Sequence, residues 1–128
     1  MKPDHMALAV SMARKSISRY RLGAVVVRKN RPISTGFNTM GKTHPIMKQF
    51  SHGYEVPGTH AEVHSCIGMD AKDLHKADIY VARILKSGET AMAKPCPICS
   101  SFLKSVGIRR AYFTTGKGCD VVTFNEGA

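Results

Sequence analysis

Two short segments, Thr59-His60-Ala61-Glu62 and Pro95-Cys96-Pro97-Ile98-Cys99, limit what this chain can fold into more than any other feature. Each follows a loop-like stretch and opens a run with helical spacing. Cysteines three positions apart in a first helical turn can face one point, and a second helix start can bring a histidine to that point. Zinc takes four ligands in a tetrahedron, and a catalytic site draws three from the protein and leaves one for water. His60, Cys96 and Cys99 are the candidate ligands for Zn2+, with the dipoles of two helix N-termini favouring the thiolates. The fold must then bring position 60 to positions 96 and 99.

Glu62 is the candidate catalytic residue. It follows His60 by two, so on a helix its side chain points away from that of His60, a poor place for a fourth ligand. It can instead reach water and an incoming substrate. Zinc brings the pKa of a water it binds to roughly 7, and a carboxylate nearby can accept that proton and pass it on.

Two other readings use the same residues. Cys-Pro-Ile-Cys at a helix start has the spacing of a thioredoxin-type redox pair, but that leaves His60 and Glu62 idle and lacks the matching order of elements. A zinc-stabilised binding module needs a fourth protein ligand, and His64 (i+4 from His60) or Cys66 could serve. His64 reads more simply as a packed or partly exposed helix residue. Cys66 and Cys119 read as small core residues, and His5, His44, His52 and His75 as surface residues.

The rest of the chain is read as one domain over residues 1–128. Asp4 can cap a helix whose stripe is Met6, Ala9, Val10, Ala13 and Ile17. Leu22–Arg28 and Ile33–Asn38 form a hairpin about Lys29-Asn30-Arg31-Pro32. Residues 39–59 form a long loop that could touch substrate or a second metal, with Tyr54 able to stack on a base. A helix over 60–69, a strand Ala77–Leu85, a loop over 86–95, a helix Cys96–Val106 and strands Arg110–Thr115 and Val121–Phe124 follow. Gly107 ends the last helix, and Gly116-Lys117-Gly118 turns the last two strands antiparallel. The fold class is α/β, a three-layer α-β-α sandwich about a central five-stranded mixed sheet.

With 43% hydrophobic and 22% charged residues, the chain can bury a core, which argues against disorder. No apolar run reaches the roughly 18 residues of a membrane span, and the start, MKPDHMALAV, lacks the look of a secretory signal. A cytoplasmic enzyme without a membrane partner is expected. The net charge of +10 includes seven cations and no acid between Arg14 and Arg31. Such a surface suits phosphate, on a nucleotide or a polynucleotide, or is a solvated face.

Together the motifs resemble the cytidine and deoxycytidylate deaminase superfamily of zinc-dependent nucleobase deaminases. The likeness covers most of the chain: the hairpin, Gly36-Phe37-Asn38, His60-Ala61-Glu62 and PCPICSSFLKSVGIRRAYF over 95–113. It implies a cytosine-to-uracil hydrolase with His60, Cys96 and Cys99 on zinc and Glu62 as proton shuttle. It also implies Asn38 at the sugar, Phe37 beside the base, and backbone at Ala61 and Pro95 lining the pocket.

The likeness leaves the substrate open between a free nucleoside and a nucleotide such as dCMP. Thr39 and a cysteine-free loop differ from the usual deoxycytidylate pattern, and Lys94 stands where transfer RNA adenosine deaminases carry an acid. The antiparallel last strands resemble the free-nucleoside enzymes, which however use Cys at the place of His60. A nucleoside or nucleotide substrate and a homo-oligomer are the expected partners, and a polynucleotide substrate is the alternative.

Overall fold

A computed structural model describes residues 4–17, 20–39 and 60–124. Its elements in order are helix α1 (His5–Ala13), strands β1 (Arg21–Arg28) and β2 (Arg31–Phe37), helices α2 (Ala61–Cys66) and α3 (Ala71–Leu74), strands β3 (Asp78–Ile84) and β4 (Thr90–Ala91), helix α4 (Pro97–Ser105), and strands β5 (Arg110–Thr115) and β6 (Gly118–Thr123).

The strands form one mixed sheet in the order β2-β1-β3-β5-β6, with β4 added to the end of β3. Among the described residues only the β3–β5 pair is parallel, and β5 and β6 run antiparallel as expected from their short turn. The expected five strands are all present. The sixth, β4, lies inside the segment expected to be loop, where Thr90 and Ala91 pair with Ile84 and Arg83. Two residues carry too little pattern to read as a strand.

Strand alternation builds three layers. Ala24 and Val26 of β1, Ile79 and Val81 of β3, and Ala111 and Phe113 of β5 pack with Ala61, Val63, Cys99, Phe102 and Leu103 of α2 and α4. Val25 and Val27 with Ala82 turn the other way, onto Ala9 of α1. Two glycines permit close approach of helix to sheet. A Cβ on Gly23 would lie 2.2 Å from the Ala9 carbonyl oxygen, and one on Gly36 would lie 2.5 Å from the Ser65 nitrogen of α2. Each layer is thus held tight against the sheet where a side chain is missing.

Asp4 caps α1 as expected, its Oδ1 accepting the Ala7 N–H at 2.9 Å. The helix is shorter than its stripe, however. It ends at Ala13, and Ile17 beyond it is 98% exposed. Helix α2 likewise stops at Cys66, and Gly68 at φ +85° separates it from α3, a left-handed conformation that glycine adopts freely. His5 is buried rather than on the surface, hydrogen-bonded to Asn30 at 3.0 Å and packed on Tyr80. Cys66 is buried as expected, whereas Cys119 is exposed because β6 is an edge strand with little covering it. His75 is exposed. His44, His52, Tyr54 and the 40–59 portion of the long loop lie outside the described residues. No helix among the described residues is long and apolar enough to cross a membrane.

Candidate active site

The two motif segments meet. Both helix starts follow extended residues: His60 precedes α2 with ψ 155°, and Cys96 precedes α4 with ψ 166°. Pro97 then takes the first position of α4, where its missing N–H costs no hydrogen bond. The outcome sets His60 Nδ1 3.6 Å from Cys96 Sγ and 3.3 Å from Cys99 Sγ, with all three donor atoms within 4.8 Å of one another.

These distances suit zinc. Zn–S bonds of about 2.3 Å and Zn–N bonds of about 2.0 Å in a tetrahedron place nitrogen and sulfur roughly 3.6 Å apart. The observed separations match that edge to within a few tenths of an ångström. Among the described residues this trio is the one group of His, Cys, Asp and Glu side chains disposed to hold a metal ion. His64 and Cys66, the possible fourth ligands, are engaged elsewhere. His64 Nδ1 lies 3.0 Å from the Phe37 nitrogen and 2.9 Å from its oxygen, while Cys66 is buried in the core beside Ser65.

Electrostatics at the trio favour a cation. A hydrogen bond from the Cys99 thiol, with help from His60, brings Cys96 down to about 4. Cys99 moves well up because Cys96 and then burial oppose a second thiolate there. The hydrogen bond to Cys96 raises His60. Two sulfurs this close resist a double negative charge until a cation joins them.

Glu62 is 3% exposed. Burial raises its pKa, with the neighbouring imidazole working against that shift. Its Oε1 has no hydrogen-bond partner among the described residues, an expensive state for a buried polar atom unless a ligand meets it. Ala61, fully buried, sits between His60 and Glu62, and Pro95, also buried, precedes Cys96. Phe37 stands edge-on to the His64 ring at 5.2 Å. Asn38 is fixed to the start of β1, its Oδ1 accepting the Leu22 N–H at 2.9 Å and its Nδ2 donating to the Tyr20 carbonyl at 2.5 Å. Sequence reasoning passed over Tyr20 and Arg83, which lies over the Tyr20 ring at 4.8 Å.

Residues 2–115 match the family profile of the cytidine and deoxycytidylate deaminase zinc-binding region. The chain belongs to this family. It is a hydrolytic deaminase acting on C–N bonds, and its metal is zinc. It is 27% identical to the deoxycytidylate deaminase of Mycobacterium phage D29, over 84% of this chain and 89% of that protein. Its fold is similar to the dCMP deaminase of cyanophage S-TIM5, with a TM-score of 0.60 and 20% identity over 90% of this chain and 86% of that one. It is also similar to the cytidine deaminase of Mycobacterium leprae, with a TM-score of 0.57 and 18% identity over 91% and 88% of the two chains. Other similar structures are longer: the chain spans 27% of the RibD chain of Acinetobacter baumannii.

Proposed function

We propose that this deaminase converts cytosine to uracil in a free (deoxy)cytidine nucleoside or nucleotide such as dCMP, with His60, Cys96 and Cys99 as zinc ligands and Glu62 as proton shuttle. The carrying observation is the buried Glu62 carboxylate, unpartnered at Oε1 among the described residues, beside a nitrogen and two sulfurs at zinc spacing.

Bound zinc supplies a Lewis acid that makes water a competent nucleophile near neutral pH. Glu62 accepts a proton from the attacking water as its oxygen bonds to C4 of the base, and returns it to the ring nitrogen beside that carbon. Glu62 then carries the second proton to the exocyclic amine, the C4–N bond breaks, and ammonia leaves. Burial serves this exchange, since a carboxyl with a raised pKa both takes and gives a proton closer to neutral pH. Phe37 lies beside the base, Asn38 meets the sugar, and backbone at Ala61 and Pro95 lines the pocket. The S-TIM5 dCMP deaminase has been solved in complex with dCMP and dUMP, which supports a substrate of this class.

The test is a panel of cytidine, deoxycytidine, their phosphates, and adenosine and guanine compounds, followed by ultraviolet change with and without chelator. Chelator-sensitive deamination confined to cytosine compounds is expected. Turnover of purines alone would overturn the base assignment.

A further inference from the structure

The sheet forks just before the chain reaches α4. Strands β3 and β5 pair from Asp78–Arg110 as far as Val81–Phe113. Beyond that point the 90–93 segment enters between them. On one side Thr90 and Ala91 of β4 pair with Ile84 and Arg83. On the other, the Thr90 hydroxyl donates to the Thr115 carbonyl at 3.4 Å, and the Ala93 N–H donates to the Thr114 carbonyl at 2.9 Å. Thr114 stands at the fork and is 1% exposed. Its hydroxyl donates to the Ala91 carbonyl at 2.7 Å and accepts the Arg83 N–H at 3.1 Å. One side chain thus ties three strands, because a hydroxyl carries both a donor and free lone pairs.

The fork leads directly to the metal ligands. Ala93 is buried in the core, Pro95 is buried, and Cys96 follows. The two cysteines are held differently. Cys99 lies inside α4 and is fully buried, so the helix itself fixes it. Cys96 precedes the first turn and is half-buried. Its neighbours Pro95 and Pro97 have no N–H with which to anchor the backbone. From the helix side, Cys96 is held by the Ser100 N–H on its carbonyl at 2.8 Å and the Ser100 hydroxyl on the Pro95 carbonyl at 3.3 Å. From the strand side it is held by the fork.

We propose that Thr114 is a positioning residue for the metal centre: by tying β3, β4 and β5 it sets where the chain departs for Cys96, and so holds that sulfur beside Cys99 and His60 before an ion binds. The inference rests on the ligand assignment given above and adds a residue that touches neither metal nor substrate. Removing the hydroxyl leaves the Arg83 N–H and the Ala91 carbonyl without this partner, and both then gain by moving toward water. The 91–95 segment moves with them, and Cys96 loses its preset place. Groups that orient metal ligands from outside the ligand shell change metal affinity by about 10- to 100-fold when removed.

The experiment measures zinc affinity, by competition with a chelating dye, for the natural chain and for Thr114→Val, Thr114→Ala and Thr114→Ser. Leu74→Ala, at a buried position in α3, is the control for lost stability alone. Thr114→Val keeps the shape of the side chain, and Thr114→Ala differs from Thr114→Ser by the hydroxyl only, so either comparison isolates that group. The two variants without the hydroxyl are expected to bind zinc about tenfold or more weakly. Thr114→Ser should stay close to the natural affinity, and Leu74→Ala should melt lower yet bind zinc as the natural chain does. The absorption bands of cobalt in place of zinc report the metal–sulfur geometry without turnover, and they should shift in the Val and Ala variants and not in Ser. Natural affinity and bands without the hydroxyl would overturn the proposal. So would Thr114→Ser as weak as Thr114→Ala, or an equal loss in Leu74→Ala. If neither hydroxyl-free variant folds in excess zinc while Thr114→Ser does, Thr114 serves the fold as a whole, and the proposal is overturned as well. A natural chain that takes up no zinc ends the ligand assignment and this inference together, whereas zinc bound alike by every variant ends this inference alone. Neither result depends on which base is deaminated.

Discussion

His64 Nδ1 lies 3.0 Å from the backbone nitrogen of Phe37, across 27 residues of chain. One ring thereby fastens α2, which starts beside His60 and carries Glu62, to the end of β2, which leads into Asn38. The nitrogen lies as near the Phe37 carbonyl, at 2.9 Å, so the tautomer decides whether it accepts or donates. His64→Ala removes the tie and its packing on Phe37. Stability should fall by about 1–2 kcal/mol, read as a lower urea midpoint with an unchanged slope. Zinc content should stay at one per chain. Loss of zinc from this variant would instead make His64 a fourth ligand.

Gly36 should not tolerate a side chain. Its added Cβ would meet backbone of α2 2.5 Å away, and backbone cannot rotate aside. Gly36→Ala should destabilise by about 1–3 kcal/mol, and turnover should fall with it because α2 carries Glu62. Gly116→Ala is the control. Its Cβ would meet nothing within 4 Å, and its stability should stay within about 0.5 kcal/mol. Equal melting temperatures for both variants would contradict the close packing of α2 on β2.

Metal removal should be easier in acid. Zinc binds the neutral imidazole and the thiolates, so protons compete with it. The hydrogen bond with Cys96 raises the His60 pKa, so in the metal-free protein this imidazole stays protonated to a higher pH than an ordinary one. Apparent zinc affinity and the part of the stability that depends on zinc should fall as pH drops below neutrality, and recover as it rises. Cys99→Ser should lose zinc and lower the melting temperature, since metal binding of this kind adds to folding free energy. Metal titrations at two pH values and a thermal melt with chelator check both. An affinity independent of pH would contradict this ligand set.

Much of the site was legible because the motif residues bring their own geometry. Cys96 and Cys99 share a turn, and Pro97 marks where the helix begins. The valine-rich run Leu22–Arg28 likewise reads as a strand, and the structure buries Val26 on one face of it and Val25 on the other. What sequence could not show depended on distant partners. His5 reads as a surface residue in the sequence, and it is Asn30 and Tyr80, remote in the chain, that pack against it in the fold. Ile17 continued a helical stripe that the backbone had already left. Cys119 looked like core because its exposure follows from β6 lying at the sheet edge. Arg83 carried the faintest trace, a cation in phase with Ile79 and Val81 on the strand face that packs inward.

The most direct test is the Glu62→Ala enzyme, with bound zinc and ammonia release from dCMP and deoxycytidine measured on the same sample. The expected result is one zinc per chain and turnover of the better substrate reduced by about a hundredfold or more. Near-normal ammonia release from that sample would contradict the assignment of Glu62 as the group that moves the protons.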